Sequence, residues 1–122
     1  MTDNPVDHPR HYTSHPSGVE AIEVGRHLTA DWFNAFKYVF RADHKNGVQD
    51  IEKALWYAKD AVAFDFPVHA PSWRIEHEDK LTRIIWHEGI MVREKFFEFI
   101  RVGDGRSALA CIERMLEVWT PK

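Results

Sequence analysis

Thr29-Ala-Asp-Trp-Phe-Asn-Ala-Phe-Lys-Tyr-Val-Phe-Arg-Ala-Asp-His-Lys45 decides how the chain folds. Trp32, Phe36, Val39 and Phe40 recur at three- and four-residue steps, the repeat of one apolar face of an α-helix and not the alternation of a strand. The segment therefore reads as a core helix. On the same helix Lys37 and Arg41 stand four apart and share a face, which His44 and Lys45 extend past the expected end. Two readings of this cationic rail stand: it is the solvated side of an amphipathic helix, or it holds an anion through charge-assisted hydrogen bonds. Tyr38 adjoins the rail, and no acidic residue lies four positions before Lys37 or after Arg41 to neutralise either one.

Outward from this pillar the chain reads as helices. A short helix is expected over 19–28, capped by Ser17, with Glu20 in its first turn and Ile22 inward. Thr29 caps the pillar, and Asn46-Gly47 marks its end. A third helix over 48–64 carries Ile51, Leu55, Ala58 and Val62 as its stripe. Phe66-Pro-Val-His-Ala-Pro71 breaks it, and Ser72 is the expected cap of a helical segment over 72–102. Gly89 makes that segment either one kinked helix or two. Gly103-Asp-Gly105 ends it, and a last helix over 107–119 turns Leu109, Ile112, Leu116 and Trp119 inward.

The expected fold is all-α, a compact bundle of five to six helices in a single domain over 1–122. Residues 1–18 form an irregular arm, because Pro5, Pro9 and Pro16 forbid a helix there. Its His8, His11, Tyr12 and His15 give it aromatic surface and hydrogen-bonding capacity that a flexible tail rarely carries, so of the two readings, a disordered arm and one that packs over the helices, the second is expected.

Composition narrows the function. Hydrophobic residues at 44% and charged residues at 29% are ordinary for a globular protein, and no apolar run approaches the ~20 residues of a membrane span. Met1-Thr-Asp-Asn-Pro5 has no basic region followed by an apolar one, so no secretory signal is expected and the location is expected to be cytoplasmic. A net charge of −3 argues against duplex nucleic acid, which demands surplus Lys and Arg. Cys111, the sole cysteine, is expected to be a buried small hydrophobe. Eight His and five Trp exceed what packing asks of so short a chain and hint at a site.

Neither standard phosphate cradle is present, since the chain lacks both Gly-x-x-x-x-Gly-Lys-Ser/Thr and Gly-x-Gly-x-x-Gly. Met91 stands where the second His of a zinc-protease helix begun by His87-Glu88 belongs. Asp7, His8, His11 and His15 have spacings a metal tolerates, but three prolines and the lack of a cysteine there leave no metal expected. No spacing supports a Ser, His and carboxylate triad.

Five blocks, Asp7-His-Pro-Arg-His-Tyr12, Gly18-Val-Glu-Ala-Ile-Glu-Val24, Phe33 to Ala42, His44-Lys45 and Asp50-Ile-Glu-Lys-Ala-Leu-Trp-Tyr57, resemble in order those of a small phage-encoded family described as nucleotide kinase-like, after a podophage early protein that phosphorylates deoxynucleoside monophosphates. One departure stands out: Phe33-Asn34-Ala35-Phe36 precedes Lys37-Tyr38, where the family reads Gly-Asn before Ile-Lys-Tyr. A side chain thus stands where a backbone would approach a ligand.

The resemblance implies a phosphorylated nucleotide as ligand in a host cytoplasm. The expected site joins His8, His11 and Tyr12 of the arm to Lys37, Tyr38 and Arg41 of the pillar, with His44, Lys45 and Glu20 around them. In a kinase, Lys37 and Arg41 would neutralise the transferred phosphoryl group. His8 or His11 would act as general base, and ATP with Mg²⁺ would be the co-substrate, with no tightly bound cofactor. Two other classes stay open: a non-catalytic protein that sequesters a host nucleotide or defence signal, and a helical scaffold or host-protein inhibitor. Trp56 and Tyr57 read as packing. Trp86, Phe96, Phe97 and Phe99 are surplus apolar surface from which a homo-oligomer is expected.

Overall fold

The computed structural model describes residues 15–42 and 47–119, and within them the chain is all-α, as its periodicity demands. Six helices follow in order: α1 (Ala21–Gly25), α2 (Ala30–Arg41), α3 (Val48–Ala63), α4 (Ile75–Glu88), α5 (Met91–Val102) and α6 (Gly105–Val118). Their packing closes a circuit: α1 lies on α2, α2 on α3, α3 on α6, α6 on α5, α5 on α4, and α4 returns to α1. Among the described residues there is no strand, only an isolated antiparallel bridge between Leu28 and His69. That bridge stitches the connection after α3 to the start of α2, with Thr29 N–H donating to the Val68 carbonyl at 3.0 Å.

The pillar is α2. Its Trp32, Ala35, Phe36, Val39 and Phe40 are buried, and Phe36 and Phe40 meet Phe97 of α5 edge-on at centroid distances of 5.7 and 6.5 Å. Such edge-to-face pairs contribute about 0.5–1.5 kcal/mol each beyond the area they bury. On α3 small residues, Ala54, Ala58 and Ala61, occupy the inner face with Ile51, which brings its backbone close to the pillar. Leu55 and Val62 sit at the edge of the core. Cys111 is buried, as its apolar surroundings in the sequence foretell.

Gly89 ends α4 with φ of 78°, a left-handed conformation that costs glycine little, so 75–102 is two helices and not one kinked helix. Gly105 opens α6 against Trp32: a Cβ there would lie 2.8 Å from the indole Cζ2, so only glycine permits this approach.

Local capping departs from the sequence reading at three points. Ser17 does not cap the first helix; Glu20 does, and its N–H donates to the Glu23 carboxylate at 2.6 Å. Ser72 does not cap α4, which starts after Arg74, because the Ser72 hydroxyl is engaged 2.8 Å from His27 Nδ1. Thr29 does stand at the N-cap of α2, but its hydroxyl donates to the Pro67 carbonyl at 2.6 Å. In each case a tertiary partner or neighbouring acid outcompetes the local amide. Ile22, Ile75 and Met91 point outward, since the inner face of each helix is taken by its neighbours in the period. Phe96 and Phe97 are core residues, so of the proposed surplus apolar surface only Trp86, 82% exposed, stands fully in solvent.

Candidate functional site

The seam between α2 and α3 carries the polar chemistry. Asp31, Asn34, Tyr38 and Arg41 recur on α2 at steps of three and four, and Asp50, Lys53, Tyr57 and Asp60 do the same on α3. The helices run antiparallel, so these faces meet in reverse order. Arg41 meets Asp50 at one end, Tyr38 stacks on Tyr57 in the middle at 6.1 Å and 13°, and Asp31 meets Asp60 at the other end.

Three cations gather on one ring. Lys37 Nζ lies 4.9 Å from the Tyr38 centroid, the Arg41 guanidinium carbon 4.9 Å and Lys53 Nζ 5.4 Å, within the range where the negative face of an aromatic attracts a cation. Only one described carboxylate answers them. Asp50, fully buried, accepts from Arg41 Nε at 3.3 Å through one oxygen and from a terminal Arg41 nitrogen at 3.3 Å through the other, a forked geometry. Neither Lys37 nor Lys53 forms an ion pair with a described carboxylate, a contrast with Lys80 and Glu23, 3.5 Å apart elsewhere on the surface. Burial pushes the Lys37 ammonium below its ordinary pKa, and the charges of Arg41 and Lys53 push it further. A group in this state gains from any anion placed beside it.

Lys37, Tyr38 and Arg41 are thus brought together as the spacing predicts, but Arg41 does not stand on a solvated rail. It is buried and answered by Asp50, a partner from the next helix that an inspection of steps of four cannot find. Lys53 and Tyr57 were not singled out as site residues, and Tyr57 is drawn into the seam by its stack on Tyr38. Their signal is the matched three-and-four spacing of two consecutive helices. Glu20 serves the start of α1. His8, His11, Tyr12, His44 and Lys45 lie outside the described residues.

A Ser, His and carboxylate do meet in series. Ser17 hydroxyl and amide both point to His15 Nδ1, at 2.8 and 3.1 Å, which leaves Nε2 to donate to Glu88 at 3.1 Å. Glu88 also pairs with Arg93 at 2.8 Å, and Arg93 donates to the Val39 carbonyl. Ser17, His15 and Arg93 are buried, and the Ser17 oxygen already accepts from Val19 N–H, so this relay fastens the chain before α1 to the α4–α5 corner. A cavity of about 400 Å³ opens elsewhere, between Trp32, Val62, Phe66 and the start of α6. Two carboxylates, Asp65 and Asp104, face one guanidinium, Arg106, around it, the wrong balance for a phosphate.

The carboxyl pair at the far end of the seam sets a pH dependence. Burial raises the Asp31 pKa to about 6, helped by the hydrogen bond its protonated carboxyl donates to Asp60 and by the Asp60 charge. A folded-state pKa above the ordinary 3.8 means that the folded protein binds the proton more tightly, so stability falls as pH rises from 3.8 to about 6 and levels off above. Asp31→Asn removes one charge. It is expected to raise the melting temperature above that range by a few degrees, on the order expected for ~1 kcal/mol, and to flatten the slope within it. Thermal melts across pH check this, and an unchanged slope would show that Asp31 is not the group that sets it.

The geometry defines a class: an all-α bundle with a cation-and-tyrosine seam between two antiparallel helices. Residues 6–59 match the model of a family described as a protein of unknown function, DUF3310, a span that takes in α1, α2 and most of α3 and so both sides of the seam. No curated protein and no solved structure matches the chain.

Proposed function

We propose that this protein binds a small phosphorylated nucleotide at the α2–α3 seam, with Lys37 and Lys53 as the phosphate ligands and Arg41, held by Asp50, as a fixed background charge. The observation that carries this reading is the set of three cations on the Tyr38 ring answered by one described carboxylate. Gathering like charges is unfavourable unless an anion is to be placed among them. The order of sequence blocks shared with the phage kinase-like family supports a nucleotide over other phosphorylated ligands, and it supports phosphoryl transfer to a deoxynucleoside monophosphate as the activity. In such a transfer ATP with Mg²⁺ supplies the phosphoryl group, and the two lysines neutralise the charge that develops on it.

Lys37→Ala with Lys53→Ala tests the site without touching the buried Arg41. Each charge-assisted contact contributes about 1.5–3 kcal/mol, so the double variant is expected to lose at least about a hundredfold in nucleotide affinity while melting as the parent does. Calorimetric titration with nucleoside mono-, di- and triphosphates and cyclic nucleotides measures the affinity, and chromatography of each mixture reads turnover. A converted nucleotide establishes a phosphotransferase. A ligand recovered intact establishes sequestration, and full affinity in the double variant would remove the seam from consideration.

A further inference from the structure

Trp56 is 64% exposed, an unusual place for the largest apolar side chain, and it sits three residues after Lys53, one helical turn along the same side of α3. Its indole meets Tyr57 at 5.1 Å and 82°, a contact that leaves most of its area in water. The two tyrosines are otherwise committed: they stack on each other, and three cations engage the Tyr38 ring. Tyr38, the aromatic expected to stack on a base, has its ring occupied by the charges that would hold the phosphate. Trp56 is the adjoining aromatic with open surface, and no described cation is drawn onto it.

Resting on the anion-binding reading of the seam, we infer that Trp56 is the platform on which the planar base of the ligand stacks, and that it makes the site select a nucleotide over phosphate alone. A helical turn sets the phosphate ligand Lys53 and the indole about 5 Å apart along the axis, on the order of the reach of the sugar between a base and its 5′-phosphate. Stacking on an aromatic tolerates any base, because every base has a π-face, so Trp56 confers preference for the nucleotide class and leaves base identity to other groups.

The test titrates nucleoside 5′-monophosphates and, separately, inorganic phosphate and pyrophosphate into the parent, Trp56→Ala, Trp56→Phe and the Lys37→Ala/Lys53→Ala variant. Trp56→Ala is expected to lose roughly tenfold or more in monophosphate affinity, the range measured for base stacking, with phosphate and pyrophosphate affinity unchanged. Trp56→Phe is expected to keep much of the affinity and to lose the nucleotide-induced change in tryptophan emission. Equal monophosphate affinity in Trp56→Ala, with the lysine variant impaired, would overturn the platform and leave the anion site standing. A parallel loss of phosphate affinity in Trp56→Ala would overturn it too, since the side chain would then be acting through the fold. Full affinity in the lysine variant, or no binding by the parent, would overturn the anion site and the platform together.

Discussion

Asp50→Ala is expected to destabilise the protein by about 3–5 kcal/mol, because it strips the forked acceptor from Arg41 and leaves a guanidinium in the interior. A domain of this size is held by about 5–15 kcal/mol in total, so the loss removes roughly a fifth of the margin at the least and most of it at the low end of that range. The attraction within a buried pair and the cost of dehydrating it nearly cancel, whereas removing one partner leaves much of the cost uncompensated. Replacing both partners by apolar groups, Arg41→Met with Asp50→Leu, should therefore recover a large part of what Asp50→Ala loses. Urea unfolding gives the answer as a shifted midpoint at constant slope. A loss below ~1 kcal/mol for Asp50→Ala would show that the pair behaves as a solvated one.

Glu88→Ala should rank beside it, at about 3–5 kcal/mol, for a related reason in a different place. Glu88 is the last residue of α4, and its side chain receives both His15 and Arg93. Without it His15 Nε2 loses its acceptor and Arg93 its paired carboxylate at once. Glu88→Gln keeps the shape and one acceptor oxygen, so it is expected to lose about 1.5–3 kcal/mol, the share of a charge-assisted bond. The ordering Ala worse than Gln worse than parent in chemical denaturation checks the assignment, and equal stability of all three would mean the network does not hold the corner.

Much of the fold can be read from the chain because its helices announce themselves by period and by punctuation. Trp32, Phe36, Val39 and Phe40 name their own face, and Gly89 and Gly103 mark stops that only a left-handed residue provides. Capping is less legible: Ser17, Thr29 and Ser72 are all plausible caps, yet the Ser17 hydroxyl is engaged by its near neighbours His15 and Val19, and those of Thr29 and Ser72 by the distant Pro67 carbonyl and His27. The site is half legible for the same reason. Lys37, Tyr38 and Arg41 lie on one helix and their grouping follows from local geometry. Asp50, Lys53 and Tyr57 join them through the register of two antiparallel helices, which local spacing does not state. The exposure of Trp56 likewise depends on which side of α3 faces its neighbours, and its sequence surroundings suit a packed residue equally well.

The closed circuit of helices has a consequence for how such a chain can diverge. Residues 6–59 carry the family match, yet Phe36 and Phe40 of that span are covered by Phe97, which follows it. The matched segment is therefore a surface waiting for a lid rather than a self-sufficient unit. Any relative that keeps the α2 face must supply, from whatever sequence comes after α3, side chains of comparable bulk at the same place. The second half is held to a volume and a direction of approach, and at Gly105 and Glu88 to particular residues as well, if it is to return to α1 and close the circle.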